Sequence, residues 1–510
     1  MGSDWPLVSL GDYCVKIGSG ATPRGGSSVY KEYGEICLIR SQNIYNDGFK
    51  SQGLVYIDED AAKKLKNVVI EKNDILLNIT GDSVARVCLA VERYLPARVN
   101  QHVAIIRPNP KEFDARYLRY VISSPFMQKV LLNLASAGAT RNALTKTMIE
   151  TLEVSKPPLI IQKNIADCLE SLDDKIFLNN ETNQTLEQMA QALFKSWFVD
   201  FDPVFDNLLA SVDFKLESLE NRLPDNLKLK AQRRLAVLNS LENAAECKAS
   251  LIALAHELQA QLPTKEATQA AVQILGKTAE TPVKANVSAN PKILAQHANT
   301  HFPNEFEHNE QLGWIPKGWE SKTIDELCKI NPESWTKKNA PEVVKYVDLA
   351  NAKNGSVGEA IEYSFSEAPS RARRILRPHD TIIGVVRPAN RSFAYVNEDN
   401  LTGSTGFAVV RANNQNCRAF AYFSLTNDDC IQEFTRIADG AAYPAIKPED
   451  VAKTYCVYSN NKILDAFESI AGNIMSGVAR NQTQTKTLTK LRDTLLPKLI
   501  AGEITINKDI

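Results

Sequence analysis

A long internal repeat constrains this chain more than any other feature. Gly440-Ala441 follows Gly138-Ala139 by 302 positions, and the same ungapped offset carries Ala143 onto Ala445, Ile161 onto Ile463, Asn179 onto Asn481, Leu186 onto Leu488 and Leu193 onto Leu495. Within the repeat, Ile165, Leu169, Leu172, Ile176, Asn179, Asn183, Leu186, Ala190, Leu193 and Trp197 step by alternating four and three. That is the heptad period of a helix presenting one seam to another helix. The shifted set is Phe467, Ala471, Ile474, Val478, Asn481, Thr485, Leu488, Arg492, Leu495 and Leu499. Two long helices of one register, each with an asparagine at mid-length, are expected to pair with each other. A polar residue in such a seam fixes register at some cost in stability. A helix from Ile161 to Phe198 spans about 57 Å at 1.5 Å per residue.

Each helix is preceded by a unit of mixed strand and helix. In the first, Ile36 to Arg40, Asp74 to Thr80, Val84 to Val91 and Gln101 to Arg107 are apolar or β-branched runs of strand length. Asp114 to Leu134 has helical spacing, with Pro125 as a boundary. The second repeats the order, with strands expected at Val343 to Leu349, Asp380 to Val386, Phe393 to Val396 and Gly406 to Arg411 and a helical stretch from Arg418 to Ala438. Between the repeats, Asp225 to Leu262 holds no Gly or Pro and predicts a long helix or hairpin, and Ala279 to Thr300 reads as linker. The expected class is α+β: two mixed α/β domains joined by two long helices in an antiparallel coiled coil, with an internal pseudo-twofold repeat. The expected segments are 1–155, a spacer helix at 156–205, an insert and linker at 206–313, a second domain at 314–458 and a spacer helix at 459–505.

Composition narrows the function classes. The formal net charge is -1, so any polyanion must be met by local patches rather than by a general basic excess. Nine cysteines include no C-x-x-C pair, which favours reduced thiols in a cytoplasmic protein over zinc or a disulfide framework. The N-terminus lacks a signal-peptide pattern, and no apolar run approaches the roughly 20 residues that span a bilayer. Catalytic motifs are incomplete. Leu275-Gly276-Lys277-Thr278 ends like a phosphate-binding loop, but Ala271 stands where the first glycine is needed. Pro157-Pro158-Leu159 lacks the amide and aromatic with which adenine methyltransferases grip a base. Glu320-Ser321-Lys322 resembles the tail of a metal nuclease motif, yet no Asp occurs between Asp225 and Asp325. His102, within a strand, fits a half-buried structural role.

What remains is polar readout chemistry. Arg40, Gln42 and Asn43 leave a strand with the side chains that hydrogen-bond base edges, Arg toward guanine and Asn or Gln toward adenine. Thr80 and Arg86 flank a second polar loop, and Arg141-Asn142 a third. In the second unit Arg371, Arg373, Arg374 and Arg377 crowd together, followed by Arg387, Arg391 and Tyr443. Clustered arginines suit phosphate contacts. The aromatic group Phe194, Trp197, Phe198 and Phe201 fits either a partner-docking surface or closure of the chain's own helical core.

These segments together resemble the DNA-specificity subunits of type I restriction-modification systems. The carriers are Trp5 with Leu10-Gly11-Asp12, Gly138-Ala139-Thr140 through Leu144, Pro157-Pro158 with Gln162, and Asn183 through Leu186 leading to Leu193 through Pro203. Phe302-Pro303 with Phe306, Leu312 through Glu320, and Leu495 through Glu503 complete the set. The resemblance implies two target recognition domains, each reading half of a split, asymmetric double-stranded DNA site, with the helical pair as a ruler. It implies two modification subunits that bring S-adenosylmethionine and methylate adenine, and restriction subunits that hydrolyse ATP with magnesium and cut. It implies no catalysis and no cofactor in this chain. The competing expectations are a coiled-coil assembly scaffold, or a chain with its own nuclease or methyltransferase activity. The helical insert exceeds what the family implies, so an added arm on the ruler and a partner contact both stay open for it.

Overall fold

The structure is a computed structural model that describes residues 5–136, 142–220, 223–240, 301–440, 443–504 and 506. It divides into two compact units, residues 1–180 with 482–510 and residues 181–481. In the first unit, four strands pair in the order Cys14–Ser19, Val103–Pro108, Ile75–Asn78 and Val87–Leu89. A second sheet places Ile36–Ile39 between Val55–Ile57 and the parallel strand Ala97–Val99. Ile75, Leu77, Ala104 and Ile106 point to one face, under the helices Ala115–Ser123 and Pro125–Ser136, while Leu76, Cys88, Val103 and Ile105 join the core of the other sheet. Strand residues alternate between faces, so the apolar runs legible in the sequence serve two cores at once. The helical stretch from Asp114 to Leu134 divides at Ser124, at the boundary expected from Pro125, which disfavours helical backbone in the residue before it.

The second unit repeats this plan. Cys328–Ile330, Phe407–Ala412, Thr381–Gly384 and Phe393–Tyr395 form the four-stranded sheet, and Val343–Val347 pairs in parallel with Leu401–Ser404. The correspondence reaches individual side chains. Arg107 donates through Nε to Asp74 at 2.7 Å and also bonds Glu71; Arg411 donates through Nε to Asp380 at 2.7 Å and also bonds Glu333. Both aspartates are almost fully buried, at 0% and 1% exposure, and each is neutralised by the arginine that reaches it. Several strands escape sequence inspection, among them Ala97–Val99, Ala372–Leu376 and Leu401–Ser404. They are short, and alternation over three to five residues is too little pattern to read.

The two long helices run Leu159–Phe198 and Asn461–Ile500, 40 residues each, so both termini differ by the offset of 302. Within each unit their segments are antiparallel. In the first unit Asn179 donates to Thr485 at 3.4 Å and to Gln484 at 3.0 Å. In the second, Asn481 donates to Asn183 at 2.9 Å. The pairs 179·485 and 481·183 are one contact repeated under the offset of 302. Elsewhere the seam differs. The first unit carries a charged cluster in which Arg119 and Arg492 both pair with Asp173 and Tyr120 donates to it at 2.7 Å. At the shifted positions the second unit has the buried apolar Met475 and Ala190.

The insert begins as structure belonging to the second unit. Its helices Asp202–Ala210 and Asp225–Asn239 bury Val204, Phe205, Leu208, Leu227, Ala231 and Leu238 in that unit's core. Arg234, 4% exposed, forms a two-pronged bond to Asp206 at 2.7 Å on each arm, with Asp202 at 3.3 Å. The rest of the helix expected to Leu262, the linker and Leu275 to Thr278 lie outside the described residues. Phe194, Trp197, Phe198 and Phe201 are buried here too, at 5%, 0%, 4% and 6% exposure. Phe198 packs on Phe420 at 4.9 Å and Phe467 at 5.1 Å, and Trp197 on Phe302 at 5.1 Å. Of the two expected roles, this burial fits closure of the chain's own helical core, where the aromatic group lies at the end of the first long helix.

Candidate nucleic-acid interface

In the first unit three loops converge at one end of the four-stranded sheet. Asn78, fully buried, donates to the Ser41 carbonyl at 2.8 Å and so ties the Ser41–Asn43 turn to the strand end. Thr80 bridges to Ala143, and the Gly81 amide donates to the Asn142 carbonyl at 3.3 Å. The Thr80 hydroxyl lies 2.6 Å from His102 Nδ1, and Gln101 reaches His102 Nε2 at 3.3 Å. Arg86 stacks on Tyr45 at 4.6 Å, and Lys50 lies over the same ring at 4.1 Å. Gln42 is exposed and donates to the Gly53 carbonyl at 3.1 Å; Arg40 donates to the same carbonyl and stacks on Tyr30 at 5.4 Å. Cations, amides and a hydroxyl therefore share one surface, which suits phosphate and base-edge contacts.

The matching surface of the second unit has the same backbone and different side chains. Leu144 donates to Ile79 and Ile446 donates to Val385; Gly81 donates to Asn142 and Arg387 donates to Pro444. The loop between is five residues in both, and both ends are left-handed: Gly81 and Ala85 have φ of 75° and 73°, Arg387 and Arg391 have 51° and 54°. A non-glycine residue held there costs roughly 1–2 kcal/mol, and arginine fills both positions. Arg387 stacks on Tyr443 at 4.5 Å, and that tyrosine is 69% exposed. Arg391 donates to Asp428 at 2.7 Å and lies 5.6 Å over Phe393.

Several expected contacts take other roles. Asn43 is fully buried, accepting from the Arg40 amide at 3.1 Å and donating to Lys50 at 2.9 Å, so it staples its own turn and cannot reach a base. The arginines crowded at 371–377 are dispersed because Ala372–Leu376 is a strand, not a loop. Arg371 is exposed; Arg373 stacks on Phe365 at 4.7 Å; Arg374 donates to Ser334 at 3.3 Å with its Nε buried. Arg377 grips Glu333 through two bonds of 2.7 and 2.9 Å, and together with Arg411 holds that carboxylate down to about 2. They are therefore not one phosphate-binding cluster. Arg141 lies outside the described residues, and Asn142 is exposed. Sequence inspection missed Tyr45 and Lys50; the signal was a Tyr and a Lys beside a Gly turn, too common to single out. Glu320-Ser321-Lys322 is a strand paired with Tyr455–Tyr458, and Lys322 binds Glu320 at 3.0 Å.

Two α/β units of one plan each expose a polar loop surface of a kind that suits phosphate and base-edge contacts. The family model for the type I restriction modification DNA specificity domain matches residues 2–188. That match covers the α/β domain of the first unit and part of the first long helix. The chain is similar to the type I restriction enzyme HindI specificity subunit of Haemophilus influenzae, 24% identical over 98% of this chain and 100% of the relative. It is also similar to the MjaIX specificity subunit of Methanocaldococcus jannaschii, 23% identical over 99% of this chain and 94% of the relative. Among solved structures, the type I restriction-modification S subunit from M. genitalium shares the fold with a TM-score of 0.51 at 13% identity, covering 97% of this chain and 96% of that one.

Proposed function

We propose that each unit reads one half of a split, asymmetric double-stranded DNA site and that the chain brings partner subunits to it. The carrying observation is the five-residue loop built twice on identical backbone bonds, Gly81 to Asn142 and Arg387 to Pro444, with unlike side chains. A repeated frame with unlike readers suits two unequal half-sites. Arg40, Gln42, Thr80, Arg86, Arg141 and Asn142 serve the first half, and Arg371, Arg387, Arg391 and Tyr443 the second. In this reading two modification subunits supply S-adenosylmethionine and methylate adenine, and restriction subunits supply ATP- and magnesium-dependent cleavage, while this chain holds no cofactor. The test is to copurify the chain with its modification subunits and map methylated adenines on genomic DNA. A motif of two unlike fixed halves at constant separation is expected, and methylation without sequence selectivity sinks the proposal.

A further inference from the structure

We infer that Arg86, held over the ring of Tyr45, is the residue that reads a guanine in the first half-site. The inference rests on the proposed split-site reading and deepens it by naming a specificity-determining residue. Three observations carry it. First, the repeat supplies an internal control. Ser392 follows Arg86 by 306 positions, as Thr381 follows Ile75. The backbone bond is the same in both copies: the Asn78 amide donates to the Arg86 carbonyl at 2.8 Å and the Gly384 amide to the Ser392 carbonyl at 2.7 Å. The hairpin of Ile44–Tyr45 with Gly48–Phe49 likewise matches that of Ala352–Lys353 with Ser356–Val357, which puts Lys353 in the place of Tyr45. A serine and a lysine satisfy the same backbone, so the fold requires neither the arginine nor the tyrosine. Second, the frame under the pair is fixed. The Val87 amide donates to Asn46 Oδ1 at 2.9 Å, Asn46 Nδ2 donates to Gln128 at 3.1 Å, and Gln128 donates to the Ala85 carbonyl at 2.8 Å. The neighbours of Tyr45 and Arg86 are thereby locked to one helix, Pro125–Ser136, and side chains on such a frame are preorganised for binding. Third, the two cations over the ring differ in surroundings. Lys50 is paired with Asp47 at 3.4 Å. Arg86 is half-buried with its guanidinium carbon 4.6 Å from the ring centroid, and among the described residues that guanidinium has no carboxylate or carbonyl partner.

An aromatic face holds a cation by the negative charge of its π system, and it leaves the five N–H donors of a guanidinium to oxygen and nitrogen acceptors elsewhere. That fork matches O6 and N7 of guanine, the most frequent specific contact in the major groove. Lysine, a compact point charge, does not reproduce the two-pronged bond. Because the second unit has Ser392 and Lys353 at these positions, this reader belongs to one half of the site only.

The experiment uses the full chain assembled with its modification subunits and reads the methylated motif for wild type, Arg86→Ser, Arg86→Lys and Tyr45→Lys. Arg86→Ser is the decisive variant, because the second unit already carries a serine on this backbone. The expected result is that one guanine of the first half becomes degenerate, discrimination there falling about 10- to 100-fold, while the second half is retained. Arg86→Lys keeps the charge and relaxes the same guanine, and Tyr45→Lys relaxes it less. If Arg86→Ser fails to assemble, Arg86→Lys decides alone. Retention of every base of the first half overturns the inference, as does relaxation at a position that is not guanine. Weaker methylation with an unchanged motif assigns Arg86 to a phosphate and overturns it too. A wild-type complex without a split motif instead removes the reading on which the inference rests, so the two failures are distinct.

Discussion

Glu187 shows how much one side chain's surroundings matter. It lies on the first long helix, and a side chain added at Gly355 would meet the Tyr422 hydroxyl at 2.7 Å and Glu187 at 3.9 Å. Burial pushes its carboxyl up to about 7 from the ordinary 4.5, and burial together with the Glu187 charge pushes the Tyr422 phenol up as well. The raised value means that folding favours the neutral form, so the stabilising contribution is fully present below 4.5 and is lost as pH rises through about 7. Glu187→Gln is therefore expected to gain on the wild type across that window, by on the order of 2 kcal/mol at pH 8. Urea unfolding between pH 4 and 8 checks it, and parallel stability curves refute it. Trp197 makes a simpler case. It is fully buried, and Trp197→Ala is expected to cost about 3–5 kcal/mol, visible as a shifted unfolding midpoint; a partner-docking role would leave that midpoint in place.

At the level of elements, the helical seam is specified by polar contacts more than by apolar volume. Asn481→Leu removes the donor to Asn183 but leaves that amide 7% exposed, with its bond to the Val478 carbonyl at 3.3 Å. A loss of about 1–3 kcal/mol is expected for the single change, and much less for Asn183→Leu combined with Asn481→Leu. A double-mutant cycle that returns no coupling contradicts this assignment. The insert is anchored by a different device. Arg234→Met strands Asp206 and Asp202 in the core, and a loss of about 3–5 kcal/mol is expected. Partial recovery on adding Asp206→Asn distinguishes lost pairing from lost packing.

For the whole molecule, the repeat predicts independent halves. Exchange of residues 1–155 for the matching segment of another specificity subunit is expected to change one half of the methylated motif and leave the other half and the separation intact. Motif mapping of the hybrid complex decides it, and a change in both halves counts against the two-reader plan. The same independence explains why the two cores tolerate different chemistry. The first unit grips its helix segment with Arg116, which bonds Asp167 at 2.9 Å and Glu170 at 2.7 Å, while the second uses the aromatic packing around Phe467.

The sequence by itself determined the duplication, the register of the helices and the order of the larger strands, because each depends on periodicity along the chain. The 40-residue helices keep the offset of 302 read from the residues alone. Which side chains face solvent was decided only by tertiary structure. Asn43 has the composition of a base reader and the burial of a staple, Arg373 and Arg374 lie on a strand, and the four aromatics after Leu193 lie inside a core. Solvent exposure and left-handed backbone are set by contacts between segments far apart in sequence, such as Arg387 with Pro444 and Gly81 with Asn142. No local pattern encodes those contacts, and on them depends which side chains reach the surface.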